Sequence, residues 1–232
     1  MGHEITDPGE KGQKVKCLSC GSPSEGFFCI DCHTLLPLSE ESDYFTLLEV
    51  EKRPVVDLKI LKENFLKISE MVHPDKHYNA SAELRETSMG SSSLLNKAYS
   101  TLRDPKERIR YLVSLETDKE VPVSNRASAE TMEFFIEASD VCNEADVFLK
   151  KGNKGEDERR ELANRLQGLK KESHKRWGNV LKEIEALDME WTTAISPENR
   201  RPLIRKLINL SNELSYLSKL QAMLDEMIIG LS

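Results

Sequence analysis

The feature that most constrains the fold is a leucine ladder near the C-terminal end. Leu203, Leu207, Leu210, Leu214, Leu217, Leu220 and Leu224 recur at spacings of four and three. That period stacks them in one stripe of an amphipathic helix. The preceding segment repeats the pattern in Leu162, Leu166, Leu169, Trp177, Val180, Ile184 and Leu187. The periodicity predicts three long helical segments, 128–151, 156–191 and 197–231. They are separated by Lys150-Lys151-Gly152-Asn153-Lys154-Gly155 and by Ser196-Pro197. Ser196 reads as a cap and Pro197 as a first-turn proline, where a missing N–H costs nothing. Links this short force antiparallel neighbours, so the segments predict a three-helix bundle over 128–232. Sustained period-two alternation is missing elsewhere, and the fold class reads as all-α.

With 232 residues the chain can build a core without staples. Hydrophobic content of 38% against 31% charged residues fits a soluble, highly helical protein. The net charge of −7 argues against a nucleic-acid binder, whose affinity rests on basic side chains neutralising phosphates. The apolar runs fall short of a membrane span.

Four of the five cysteines form two close pairs, Cys17-Leu18-Ser19-Cys20 and Cys29-Ile30-Asp31-Cys32. Two intervening residues let both sulfurs of one turn reach a single ion. Gly21, Ser22, Pro23 and Gly26 help reverse the chain between the pairs. The spacing predicts one tetrahedral zinc site with Cys17, Cys20, Cys29 and Cys32 as ligands. Four sulfurs leave no open position for water, so the role reads as structural. A segment of 17–38 has little core of its own, and metal binding would supply most of its folding energy. His33 reads as a spectator, although it could replace one cysteine. Two redox-active pairs are the competing reading, disfavoured because no βαβ pattern surrounds them. Residues 1–16, with Pro8, Gly9 and Gly12, read as a flexible tail.

Between these ends lies an exposed loop, Met71-Val72-His73-Pro74-Asp75-Lys76-His77. Leu58, Leu61, Phe65, Ile68 and Val72 predict a helix over 57–72. Pro74 cannot continue it and biases His73 out of the helical region. The result is a stiff His-Pro-Asp tip on a helical hairpin. Before it, 43–50 predicts a short helix capped by Ser42 or Asp43. After it, 79–92 reads as partly helical, and Leu95, Ala98, Tyr99 and Leu102 line a helix stopping near Asp104-Pro105. Ile109, Leu112 and Leu115 mark another short helix, and 117–127 reads as a linker.

The first bundle helix carries more apolar surface than one seam needs. Phe134, Ala138, Val141, Ala145 and Phe148 form a tight stripe, with Met132, Phe135, Ile136 and Cys142 on roughly the opposite face and Ser139 among them. In a small bundle such a second face points to docking rather than full burial. Cys142 reads as a small, partly buried residue and not a ligand.

Tyr44-Phe45, Phe65, His73-Pro74-Asp75-Lys76, Leu95-Asn96-Lys97-Ala98-Tyr99, Leu102 and Asp104-Pro105, followed by Arg108 and Tyr111-Leu112, resemble a J-domain. The arginine-then-tyrosine ending resembles the HscB/Jac-type J-proteins of iron–sulfur cluster assembly. The paired CxxC segment is similar to eukaryotic members. The resemblance implies a J-domain over 42–116 whose His73-Pro74-Asp75 loop engages a DnaK-type ATPase chaperone and stimulates ATP hydrolysis. Asp75 would offer a carboxylate to a partner arginine, and Pro74 would hold the loop in shape. Lys59, Lys62, Lys67 and Lys76 could form a basic strip meeting an acidic chaperone surface, diluted by Glu63 and Glu70. The resemblance also implies that the bundle binds the iron–sulfur cluster scaffold protein through Phe135, Ile136 and Ser139, with Trp177 from the next helix and Asp140 as a rim charge. Ser139 departs from the family pattern, where Leu or Met is usual.

On this reading the chain is a co-chaperone and not an enzyme; a Walker-type phosphate loop and a nucleophile–base set are both missing. A general J-protein for unfolded clients is the runner-up. A zinc or iron thiolate redox protein and a nucleic-acid-binding zinc ribbon are further alternatives. The resemblance implies the mitochondrial matrix. Residues 1–16, without Arg and with Glu4, Asp7 and Glu10, look unlike a transit peptide, so the cytoplasm is the alternative. Met1-Gly2…Thr6 matches a myristoylation start formally. A homodimer is compatible with the sequence.

Overall fold

The structure, a computed structural model, describes residues 15–17, 19–24, 27–36, 42–117, 127–152 and 155–232. The expected tail up to residue 14, most of the linker and Gly26 lie outside the described residues. Seven α-helices and one two-stranded sheet make up the described chain, so the all-α expectation holds. The chain divides into two compact units. One holds the residues up to Lys52 and Val56–Asp104; the other holds Arg53–Val55 and Pro105–Ser232.

In the first unit, β1 (Val15–Lys16) pairs antiparallel with β2 (Pro23–Ser24), with Val15 opposite Ser24. Strands of two residues are too short to show a period, which is why the sequence pattern missed them. Helix α1 (Tyr44–Leu47) starts at Asp43, whose carboxylate accepts the Phe45 N–H at 2.9 Å. Helix α2 (Leu58–Val72) starts at Asp57, which accepts from Lys59 and Ile60. A 3-10 turn over Pro74–His77 follows, then α3 (Ala82–Arg103), capped by Ser81. The stretch expected to be partly helical from 79 is continuous helix from Ala82 onward.

Helices α2 and α3 pack as a hairpin, with Phe65 stacked on Tyr99 at 4.2 Å between ring centres. Leu61, Ile68 and Val72 are buried, but Leu58 is 54% exposed at the first turn and leaves the expected stripe. Asn64 donates to the Leu48 and Glu49 carbonyls at 2.9 and 3.2 Å, ending α1 where Glu49 turns to φ 53°.

The second unit holds α4 (Pro105–Glu116), α5 (Ala129–Lys150), α6 (Glu156–Thr193) and α7 (Pro197–Leu231). Helices α5, α6 and α7 pack on one another as the predicted bundle. All seven ladder leucines of α7 are buried, as are Leu162, Leu166, Val180, Ile184 and Leu187 of α6. Leu169 and Trp177 are half-buried. Pro197 takes the first turn of α7, and Ser196 accepts the Asn199 N–H at 3.3 Å.

Helix α4 packs on α7, so the boundary between the units falls at Asp104. Arg110 donates to Ser215 at 2.9 Å, and Glu116 takes both its oxygens to Arg200 at 3.0 Å. The segment Arg53–Val55 joins this unit through buried Asp188. Its carboxylate pairs with the Arg53 guanidinium, whose Nε lies 3.1 Å from both oxygens, and accepts the Val55 N–H at 3.0 Å. Buried Arg108 closes the arrangement by donating to the Pro54 carbonyl at 2.7 Å. No described helix is long and apolar enough to cross a membrane.

Candidate functional sites

The paired cysteines converge. One sulfur each from Cys17, Cys20, Cys29 and Cys32 lies within 4.8 Å of the others. Two of the edges, Cys17–Cys32 and Cys20–Cys29, measure 3.4 and 3.5 Å. Tetrahedral zinc–thiolate geometry gives an edge of about 3.8 Å, so the four donors fit a single ion.

The backbone explains the convergence, because the same knuckle is built twice. Cys17 N–H bonds the Ser22 carbonyl at 2.9 Å and Gly21 N–H bonds Cys17 at 2.8 Å. Cys29 N–H bonds the Thr34 carbonyl at 2.9 Å and His33 N–H bonds Cys29 at 3.0 Å. The residue four beyond each leading cysteine turns left-handed, with φ 78° at Gly21 and 56° at His33. Histidine tolerates that region better than most side chains. Its place in the turn accounts for His33, which lies outside the four-sulfur cluster.

The four thiols are unequal. The Ser24 hydroxyl, then the Cys32 and Asp31 N–H groups, outweigh burial and bring Cys29 down from 9.0 to about 6. The Thr34 hydroxyl and backbone lower Cys32. At Cys17 the Cys20 N–H favours the thiolate, but burial and the Cys32 and Cys20 sulfurs push the thiol up to about 11.

The His-Pro-Asp loop stands at the tip of the α2–α3 hairpin. His73 ends α2 and caps the 3-10 turn, its Nδ1 accepting the Asp75 N–H at 3.3 Å. That bond uses the Nδ1 lone pair, and the Asp75 carboxylate, 3.5 Å from the ring, projects outward with its side chain 90% exposed. Pro74 is half-buried at the first position of the turn. From below, Ser88 and Ser92 of α3 donate to the Val72 carbonyl at 2.7 and 3.2 Å. His77 Nε2 lies 3.2 Å from the Met71 carbonyl. The last carbonyls of α2 are therefore partnered, which fixes the exit angle of the loop. Sequence reasoning missed these serines; two hydroxyls four apart facing a proline-broken helix end were the available signal.

Lys62 is exposed on α2, while two other lysines of the basic strip are engaged. Lys76 meets Glu70 at 3.1 Å and Lys67 meets Glu49 at 3.8 Å. Such exposed pairs contribute little.

On α5 the two expected faces separate only partly. Phe134, Ala138, Val141, Ala145 and Phe148 are buried, with the Arg176 guanidinium 4.4 Å over the Phe134 ring. Cys142 is buried as well, at 4% exposure, so it belongs to the core and not to the outer face; desolvation raises its thiol pKa. Ile136 is 56% exposed, Asp140 is exposed, and Phe135 and Ser139 are half-buried. Phe135 meets Tyr216 of α7 edge to face at 5.6 Å, and Ser139 donates back to the Phe135 carbonyl at 2.7 Å. Phe135, Ile136, Ser139 and Asp140 thus share adjacent turns of one helix. Trp177, half-buried on α6, adjoins the Arg176 that covers Phe134.

The DnaJ domain family matches residues 43–111, the stretch that presents the loop. The iron-sulfur cluster co-chaperone protein HscB of mouse is 30% identical over 131 residues, covering 54% of this chain and 55% of that one. The human protein of the same description is 32% identical over 105 residues, covering 43% and 45%. Residues 43–111 thus make a DnaJ domain, and the chain is similar to HscB co-chaperones. It spans about half the length of these two relatives. The crystal structure of human co-chaperone protein HscB superposes with a TM-score of 0.59 at 20% identity, over 91% of this chain and 98% of that one. At that identity the likeness speaks for the fold alone.

Proposed function

We propose that this J-protein is a co-chaperone of iron–sulfur cluster biogenesis with two working ends. The J-domain, residues 42–116, stimulates ATP hydrolysis by a DnaK-type chaperone through His73, Pro74 and Asp75, with Lys62 and Lys76 as flanking charges. The bundle, 128–232, binds the IscU-type cluster scaffold through Phe135, Ile136, Ser139, Asp140 and Trp177 and presents it as client. The chain performs no chemistry of its own; ATP turnover belongs to the chaperone. The mitochondrial matrix is the compartment this reading carries with it.

The observation behind the reading is one helical hairpin holding a braced, outward Asp75 carboxylate in the same chain as an α5 face with a half-exposed isoleucine. An exposed carboxylate on a rigid tip suits a charge-assisted bond to a partner arginine. Joining that tip to a client dock raises the effective concentration of chaperone and client for each other. The four-thiolate knuckle holds one zinc ion in a structural role, with Cys17, Cys20, Cys29 and Cys32 as ligands. The ion would tie together a segment whose buried cluster consists of Cys17, Cys29 and Leu36.

Steady-state ATP turnover of a DnaK-type chaperone, measured with the J-protein alone and with scaffold added, tests the reading. Stimulation by the J-protein that rises further with scaffold is expected. Stimulation indifferent to scaffold favours a general J-protein, and no stimulation refutes the co-chaperone reading.

A further inference from the structure

We propose that Ser24 is a positioning residue of the metal site, its buried hydroxyl donating to the Cys29 sulfur and setting how tightly the four thiolates hold a zinc ion. The inference rests on the knuckle being a metal site. Ser24 is 3% exposed and lies in β2, where pairing with Val15 fixes its backbone. Its Oγ stands 3.4 Å from Cys29 Sγ and accepts the Ile30 N–H at 3.2 Å. An oxygen that accepts on one side has its own proton left to give, and the Cys29 sulfur is the acceptor in reach.

Four thiolates around a divalent ion carry two negative charges in excess, and a donor to sulfur spreads that charge. Because Ser24 is buried, water cannot take over its bond when the hydroxyl is removed. The same deletion leaves the Ile30 N–H without this acceptor. Thr34 provides an internal contrast. Its Oγ1 lies 3.3 Å from Cys32 Sγ, but the pair is open to solvent, so water can substitute there. The two hydroxyls therefore differ in weight although their distances match. Outer-shell partners of metal ligands typically alter affinity by about 10- to 100-fold.

The test uses the full chain, loaded with zinc and titrated with a competing chelator, as wild type, Ser24→Ala, Ser24→Thr and Thr34→Ala. Ser24→Ala is expected to weaken zinc affinity about tenfold or more, with Ser24→Thr and Thr34→Ala within about threefold of wild type. With cobalt in place of zinc, the sulfur-to-metal charge-transfer band of Ser24→Ala should move to longer wavelength, since a thiolate that loses a donor becomes more electron-rich. If Ser24→Ala takes up no metal at all, Ser24→Thr decides: near-wild-type affinity supports the hydroxyl, and an equal loss overturns it. Ser24→Ala affinity within about twofold of wild type also overturns the proposal. A wild-type chain that takes up no zinc overturns the metal-site reading itself, and the role of Ser24 with it.

Discussion

Replacing Phe135 and Ile136 together with serine separates packing from docking on α5. Ile136 is 56% exposed, so Ile136→Ser should change stability by no more than about 0.5 kcal/mol. Phe135 is half-buried against Tyr216, its ring edge-on at 5.6 Å. Losing that pair costs about 1 kcal/mol. The buried half of the ring contributes roughly another 1 kcal/mol. The double variant should thus lose about 2 kcal/mol and stay folded, because Phe134 and the α7 leucines remain in the core. A scaffold that covers the exposed halves of both side chains gains roughly 1 kcal/mol from each. Their removal should weaken binding about 30-fold. Calorimetric titration of the scaffold, with a thermal melt of the same samples, reads both quantities. Ile136→Ser alone should weaken binding about fivefold with an unchanged melt. A collapsed melt in the double variant would make this face core, and an unchanged affinity would remove it from the dock.

Other consequences are simpler to read. Cys29→Ser should abolish tight zinc binding while far-UV circular dichroism keeps nearly all its helical signal, since none of the described knuckle residues is helical; equal zinc content by metal analysis would remove Cys29 from the ligand set. In the metal-free knuckle Cys29 titrates near 6, below its usual 9.0, so its contribution to stability is present above 9 and lost as pH falls through 6. Zinc affinity should therefore rise with pH across that window as the remaining thiols, Cys17 above all, give up protons; a flat profile from pH 6 to 9 would contradict this. Arg53→Ala leaves the Asp188 carboxylate buried without its guanidinium and should cost about 3 kcal/mol, seen as a lower melting temperature of the second unit.

What was legible in the sequence follows the range of the interaction. The leucine ladder, the caps at Asp43 and Ser196 and the proline break at His73 are local, and each stands within one helical turn of what it controls. The four cysteines were legible despite their separation because thiolates have few alternatives to a shared ion. Interactions across long separations left no local trace. Asp188 holds Arg53 across 135 positions, and Arg108 reaches Pro54 across 54. These bonds carry the segment 53–55 into the bundle unit, a partition that helix periodicity cannot show. The second face of α5 was only half legible. A 3.6-residue period distinguishes two faces but not which partner covers each, and α7 supplies Tyr216 to Phe135 while leaving Ile136 open. The brace under the loop was missed because serines in mid-helix usually point to solvent or to their own carbonyls, whereas Ser88 bonds the end of α2.

The central claim is that the loop at Asp75 drives the chaperone while the bundle holds the scaffold. Asp75→Asn tests it most directly, because an amide of the same shape on a side chain 90% exposed should leave the fold intact. The measurement is single-turnover ATP hydrolysis by the chaperone, with scaffold affinity measured on the same preparation. Loss of stimulation with scaffold affinity unchanged is the predicted result. Wild-type stimulation by Asp75→Asn would contradict the account.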